Sequence, residues 1–151
     1  MSITITWKGL FTIVFVITAA LLIALRLFVY VDIPNGCRIT ILPSWFELSN
    51  FNIQRSIRIL KHASPRDYQD LCDQVSTIDP NLACAGFEGG CFYSTTPRSI
   101  SVGTSQRSVV WTVGVLVHEV CHAKQFHDGR AMDENECYAA DGWIVKQIME
   151  F

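Results

Sequence analysis

The sequence of 151 residues lacks several features that mark common classes of protein. Its six cysteines include no CxxC pair, which argues against a zinc ribbon and against a thioredoxin-like redox site. Lysine and arginine form no dense run and the net charge is −2, so we expect no nucleic-acid partner. No internal repeat or low-complexity tract is present, and we expect a single globular domain.

Charge is also missing from a long segment near the start of the chain. Residues 9–25 carry no charged side chain, and residues 27–31 extend the apolar run beyond Arg26. A helix needs about 20 apolar residues to cross a bilayer, and an arginine near its end can reach the interface with its head group. The segment is therefore long enough to anchor the protein in a membrane.

The anchor divides the chain into four predicted segments. These are an N-terminal tail at 1–8, a transmembrane anchor at 9–31, a juxtamembrane linker at 32–50 and a globular domain at 51–151. A cleavable signal peptide is the alternative, but a cut after Ala20 would leave residues 21–31 exposed on the mature protein. We therefore favour an uncleaved, single-pass protein with the lipid bilayer as one partner.

Every cysteine follows the apolar segment. The six are Cys37, Cys72, Cys84, Cys91, Cys121 and Cys137. An even number in this position fits an oxidising compartment, so we expect disulfides and a domain outside the cytoplasm. Lys8 favours the same orientation, whereas Arg26 and Arg38 argue against it. Buried thiols in a cytosolic protein are the alternative.

The patterning of the domain predicts an α+β fold. Ser64 is predicted to be the N-cap of one helix. Residues 92–94 and 99–102 are predicted to form a β-hairpin. Residues 108–126 are β-branched enough to imitate a strand, but their length favours a buried helix. A last helix is expected from Asp133 to the terminus.

The most specific motif is HExxH, formed by His118, Glu119 and His122. On a helix, two histidines four residues apart share one face and can bind one ion. Glu119 lies one step round the helix, where a carboxylate can take a proton from water that zinc has acidified. The motif predicts a Zn²⁺ cofactor, with His118 and His122 as ligands and Glu119 as the catalytic general base. Satisfied core histidines are the alternative.

A catalytic zinc site needs a third protein ligand. Asp128 stands where the HExxHxxGxxH pattern places its last ligand, but that route turns at a glycine, and here the position is Gln125. His127 is another near neighbour. Glu136, at the start of the last helix, is our predicted ligand. Its alternative role is in a capping box with Asp133.

The chain resembles the gluzincins, HExxH metallopeptidases whose third ligand is a glutamate on a following helix. The likeness covers about forty residues and rests on the HExxH motif, the apolar approach Val113–Val117 and the segment from Asn135 to Asp141. It implies a minimal zincin-like domain. Thermolysin-like members carry an aspartate four residues after the glutamate, but here that position is Ala140.

The resemblance also implies a rim strand that pairs with extended substrate. The residues expected there are Ser99, Ile100, Ser101, Val102 and Gly103. Tyr138, Tyr93 and His127 are candidates for stabilising the reaction intermediate. A disulfide between Cys121 and Cys137 would join the two helices of the site, although other pairings are equally compatible with the sequence.

Two functions follow as hypotheses. The first is a membrane-anchored zinc metallopeptidase that acts on a peptide or protein. The alternative is a non-catalytic, disulfide-stabilised domain that contains zinc and serves in binding or structure. A basic cluster around Arg55 and Arg58 is interpreted as a solvated face, with contact to anionic lipid as the alternative.

Overall fold

The computed structural model of the chain describes residues 7–43, 50–81, 84, 89–103 and 108–150. The helices within these residues are α1 (Trp7–Phe28), α2 (Asn50–Ala63), α3 (Pro65–Gln74), α4 (Val109–His127) and α5 (Glu134–Met149). The strands are β1 (Val29–Asp32), β2 (Cys37–Ile41), β3 (Thr77–Asp79), β4 (Gly90–Phe92) and β5 (Ser99–Val102). The predicted α+β class is confirmed. Most of the tail and residues 44–49 of the linker lie outside the described residues.

The strands form one mixed sheet in the order β1-β2-β3-β5-β4. The two outer pairs, β1 with β2 and β4 with β5, are antiparallel, whereas β2 with β3 and β3 with β5 are parallel. Ile39, Ile78 and Ile100 project from three neighbouring strands into the core and are fully buried. Within the described part of the chain, β4 has a neighbour on one side only, so it is an edge strand.

The sheet begins earlier than the sequence predicted. Val29–Asp32 pairs with Cys37–Ile41 through a short 3-10 turn, and Gly36 closes that turn with a φ of 65°. The end of the predicted anchor and the first part of the predicted linker are therefore strands. The alternation of β2, with Cys37, Ile39 and Ile41 buried, carries the period of two that a half-buried strand requires.

Helix α1 is long and apolar enough to cross a membrane, and none of its residues is buried against the rest of the protein. It meets the domain at its C-terminal turn. The side-chain amide of Gln54 on α2 donates hydrogen bonds to the carbonyl oxygens of Arg26, at 2.7 Å, and Leu27, at 3.2 Å. These two bonds satisfy carbonyls that a helix end leaves without intrahelical partners.

Helix α4 is the central element of the domain, as predicted. The Ser108 hydroxyl caps it by accepting from the Trp111 N–H at 3.1 Å, and its apolar residues Val113 and Leu116 are fully buried. Ser64 caps α3, also as predicted. Helix α3 ends at Gln74, because Thr77–Asp79 pairs into the sheet.

Helices α4 and α5 pack closely and are linked covalently. A Cβ added to Gly114 of α4 would lie 2.8 Å from Val145 Cγ2 of α5, so the glycine permits the close approach. The Cys121–Cys137 disulfide joins the same two helices across 16 residues, a loop whose closure stabilises the fold by about 3 kcal/mol. The other two disulfides are Cys37–Cys72 and Cys84–Cys91. All six cysteines are therefore paired, as the sequence predicted.

Candidate metal centre and a neighbouring carboxylate

The two motif histidines lie on one face of α4, as the four-residue spacing predicts. Their Nε2 atoms are 3.2 Å apart, and the imidazole planes cross at 74°. Both side chains are largely buried, with 12% of His118 and 9% of His122 exposed. The two nitrogens point to a common position beside the start of α5.

The third group at this position is Glu134, the first residue of α5. Its Oε2 lies 3.2 Å from the Nε2 of His118 and 3.3 Å from that of His122. The three atoms therefore form a nearly equilateral triangle. Tetrahedral ligands about 2.0–2.1 Å from a zinc ion are separated from one another by about 3.3 Å, so the triangle has the dimensions of one face of such a site.

The tautomer of His118 is set by Asp141. A carboxylate oxygen of Asp141 lies 2.9 Å from His118 Nδ1, and an ionised carboxylate can only accept a hydrogen bond. In the neutral imidazole, the single proton is therefore on Nδ1, which leaves a lone pair on Nε2 for a metal ion. Asp141 follows Glu134 by seven residues, or two helical turns, so both carboxylates lie on the same face of α5.

The tautomer of His122 is set by Gln125. The Gln125 amide donates from Nε2 to the Asp133 carbonyl and to Glu136, while its Oε1 accepts from the Asp133 N–H at 3.0 Å. This orientation presents Oε1 to His122 Nδ1, at 3.3 Å. His122 Nδ1 is therefore the donor, and Nε2 again bears a lone pair.

Three electron-pair donors thus converge at this position. The lone pairs of both Nε2 atoms and the carboxylate of Glu134 face one another with no proton assigned between them. Such an arrangement is repulsive by itself and attractive around a cation. Two imidazoles and one carboxylate are also the donor set of many catalytic zinc sites, so these residues fit a divalent metal.

The prediction that Glu136 joins the two histidines is wrong. Glu136 follows Glu134 by two residues, which turns its side chain about 200° round the helix. Its carboxylate accepts from Arg130 at 2.9 and 3.1 Å and from Gln125 at 3.0 Å. The guanidinium of Arg130 lowers the pKa of Glu136, with Gln125 contributing.

The predicted capping box is formed in part. The Asp133 side chain accepts from the backbone N–H groups of Asn135 and Glu136, so Asp133 is the N-cap of α5. The Asp133 N–H is bound by Gln125 instead of Glu136. Because the helix begins at the next residue, Glu134 occupies its first turn beside α4.

The other two candidate ligands point elsewhere. Asp128 ends α4, and its carboxylate lies 3.8 Å from Arg130 Nε. His127 Nδ1 lies 2.6 Å from Gln74 Oε1 on α3. Neither belongs to the group of metal-binding side chains found among the described residues, which consists of His118, His122 and Glu134.

Glu119 is a buried carboxylate at the rim of the same site. Only 4% of the residue is exposed, and this burial raises its pKa to about 8, with the charges of Glu134 and Asp141 adding to the effect. The backbone N–H of Phe92, on β4, donates to it and opposes the shift. A carboxyl group with this pKa can exchange a proton near neutral pH.

Gly90 makes the burial of Glu119 possible. A Cβ added to Gly90 would lie 2.6 Å from Glu119 Cγ and 2.7 Å from its Oε1. The added atom would also lie 2.8 Å from Val115 Cγ1. The backbone of β4 therefore lies directly against the Glu119 side chain, and a larger residue at position 90 would displace it.

The prediction of a substrate-pairing strand at Ser99–Gly103 is wrong. Strand β5 pairs with Thr77–Asp79 on one side and with Gly90–Phe92 on the other, and the Gly103 N–H bonds to the Gly89 carbonyl at 2.7 Å. Its backbone groups are therefore already paired. The edge beside Glu119 belongs to β4, a position that alternation along one strand cannot reveal.

Of the two tyrosine candidates, one is near the metal centre. The Tyr138 ring packs on His118 with their centroids 4.7 Å apart, and the residue is 62% exposed. The Tyr93 hydroxyl lies 3.6 Å from Cys84 Sγ. Sequence reasoning missed both Glu134 and Asp141, although their spacing of seven on one helix is a signal that could have found them.

No protein family, curated protein or solved structure gives a match to the chain.

Proposed function

We propose that the chain is a membrane-anchored zinc peptidase in which His118, His122 and Glu134 hold Zn²⁺. The observation that carries the proposal is the convergence of three electron-pair donors whose mutual distances, 3.2–3.3 Å, suit a tetrahedral ion. Asp141 supports it by holding His118 in the ligating tautomer, which is the usual task of an outer carboxylate in zinc sites. Bound zinc supplies Lewis-acid polarisation of a carbonyl and acidification of water.

Glu119 transfers the protons. Its carboxylate, oriented by the Phe92 N–H, takes a proton from the attacking water and then delivers it to the amine that leaves. Its pKa, raised by burial, suits both steps near neutral pH. The same residue therefore serves as base and then as acid, which the gluzincin resemblance also implies.

Strand β4 supports a peptide as the substrate. An extended peptide can add to an exposed sheet edge through backbone hydrogen bonds, and among the described strands β4 is the edge nearest to Glu119. This binding mode recognises the backbone of the substrate through hydrogen bonds, so it favours peptides and unfolded protein segments over esters and other amides.

The apolar helix and the disulfides support a location at the membrane surface. Helix α1 has the length of a membrane anchor, and three disulfides favour an oxidising, extracytoplasmic compartment for the domain. The peptidase would therefore act on segments presented close to the bilayer.

Two neighbouring glutamates provide a matched test of the metal centre. In the full chain purified in detergent, Glu134→Gln should lower zinc affinity by more than the roughly 10- to 100-fold that loss of an outer partner costs. Glu136→Gln should leave it unchanged, because Glu136 faces Arg130. Mass-spectrometric metal analysis after dialysis measures both. Equal zinc in the two variants would remove Glu134 from the site.

Glu119→Gln tests the chemistry. Hydrolysis of a quenched-fluorescent peptide library should fall roughly 10²- to 10⁴-fold, while bound zinc stays at the wild-type level, because the amide cannot accept the proton. If wild type and Glu119→Gln both bind zinc and neither cleaves any peptide, the protein is the non-catalytic zinc-containing domain instead.

A further inference from the structure

Helix α2 has two distinct faces. One is fully buried against the core and consists of Ile53, Ser56, Ile57 and Leu60. The opposite face is exposed and follows the spacing 51, 55, 58, 62, which places Phe51, Arg55, Arg58 and His62 in one stripe. We refer to these four residues as the basic stripe.

The basic stripe lies in a segment of the sequence that carries no acidic residue. No aspartate or glutamate occurs between residues 48 and 66. Among the described residues, Arg55 and Arg58 form no ion pair, whereas Lys61, on another side of the helix, is engaged by Asp32 at 2.5 Å. Arg58 Nε donates to the Gln54 carbonyl at 3.1 Å, and the remaining N–H groups of the two exposed guanidiniums can bind an anion from outside the domain.

The stripe begins where the anchor ends. Gln54 is bonded to the last carbonyls of α1, so the first turn of α2 is fixed beside Arg26 and Leu27. Phe51, 58% exposed, lines a shallow depression with Leu22 and Ile23 of the anchor. When α1 lies in a bilayer, this aromatic ring is therefore at the level of the interface, where aromatic side chains are favoured.

A groove continues from Phe51 along the stripe. Its volume is about 690 Å³, and it runs between α2 and the last turn of α5, with Ile59 and Ile148 as apolar lining and Arg55 and Arg58 as cationic lining. An apolar floor beside guanidinium groups complements a phospholipid, which has an anionic head next to apolar chains.

We propose that the basic stripe of α2 binds the anionic head groups of the bilayer that holds α1, so that the domain lies on the membrane in one orientation. This inference depends on the insertion of α1 and not on hydrolysis. Three contacts then define the orientation of the domain: the anchor, the aromatic ring of Phe51 and the two arginines. The occupant is a phospholipid with net negative charge, held by its phosphate and head-group carboxylate.

Photo-crosslinking in nanodiscs tests the proposal with the full chain. Phosphatidylcholine nanodiscs receive a trace of either a photoreactive phosphatidylserine or a photoreactive phosphatidylcholine, and labelled peptides are mapped by mass spectrometry. We expect the serine lipid to label residues 50–63, with competition by unlabelled phosphatidylserine. One arginine near an anionic surface changes lipid occupancy roughly fivefold, so Arg55→Gln with Arg58→Gln should reduce this labelling roughly tenfold or more. Arg66→Gln is the control: Arg66 is an exposed residue of α3 outside the basic stripe, and its replacement should not change the labelling.

Labelling of α1 provides an internal reference. If α1 is labelled but residues 50–63 are not, or if the double variant and wild type are labelled equally, the stripe does not bind lipid and the proposal is overturned. Crosslinks between two protein copies through α2, in place of lipid adducts, would identify a second copy as the occupant and overturn it as well. Absence of label from α1 would overturn the insertion on which the inference depends, without bearing on the metal centre.

Discussion

Two carboxylates, the buried Glu119 beside the candidate metal centre and the partly buried Asp32 at the end of β1, have pKa values shifted in opposite directions. Asp32 accepts hydrogen bonds from Lys61 at 2.5 Å, Tyr68 at 2.6 Å and Asn35 at 2.9 Å, and these donors lower its pKa to about 2. Burial beside two other carboxylates raises the pKa of Glu119 to about 8.

The difference shows how the surroundings of a carboxylate set its charge: Asp32 serves the structure, whereas the chemistry of Glu119 belongs to the proposed function. Asp32 is surrounded by donors and keeps its charge, so it ties β1 to α2 and α3. Glu119 has a single backbone donor, and its raised pKa lets it exchange a proton near neutral pH. The hydrogen bonds around Asp32 stabilise the fold. The electron-pair donors near Glu119 repel one another, and a bound cation would offset this repulsion.

Among the changes that test this comparison, the largest effect is expected from Asp141, one of the carboxylates that make the candidate metal centre repulsive without a cation. Asp141→Asn keeps the shape but removes the charge that holds the His118 proton on Nδ1. Zinc affinity should fall roughly 10- to 100-fold. Competition with a chromophoric chelator measures this change. Asp128→Asn is the control, and an equal loss in both variants would contradict the role assigned to Asp141.

A smaller effect should follow from filling the space beside Glu119. Gly90→Ala places a methyl group 2.6 Å from Glu119 Cγ, and overpacking of this kind lowers the free energy of unfolding by about 1–3 kcal/mol. Hydrolysis should fall as the carboxylate is displaced. Gly142→Ala meets no atom within 4 Å on α5 and should stabilise the protein by about 0.5–1 kcal/mol. Urea unfolding and peptide cleavage separate the two variants.

The smallest effect is the contribution of Asp32 to stability as a function of pH. Because its pKa is lower in the folded than in the unfolded protein, its contribution is present above about pH 4 and is lost as the pH falls toward 2. Asp32→Asn should therefore be less stable than wild type at neutral pH, and the two should converge in acid. The urea midpoints of the two proteins, compared from neutral pH to pH 2, measure this difference. A chelator is present so that metal release does not contribute. A gap that stays constant from neutral pH to pH 2 would contradict the assignment.

Much of the site could be predicted from local spacing. The four-residue spacing of His118 and His122 sets their shared face, and Asp133 as an N-cap predicts the start of the next helix. The choice between Glu134 and Glu136 could not be made this way, because both follow the same cap. It depends on the rotation of α5 about its own axis, which decides whether residue 134 or residue 136 faces α4. It also depends on Arg130, which binds Glu136 from the connecting loop.

The sheet was less predictable than the helices for a related reason. Strand β2 carries a clear alternation, yet its short partner Val29–Asp32 continues directly from the apolar helix and shares its composition. Likewise, β5 reads as a good strand, but nothing in its own residues tells which strands lie beside it. Pairing joins residues far apart in the chain, whereas composition and periodicity describe only near neighbours.

By itself, the sequence determined the long apolar helix, the α+β class, the presence of paired cysteines and the two histidines with their glutamate, since composition and local spacing carry these features. The tertiary structure alone decided the third acidic group, the partner of each imidazole, the pairing of the disulfides and the strand at the edge. Those features arise where α5 and β4 meet α4, and contacts between separate elements are fixed by packing and not by local order along the chain.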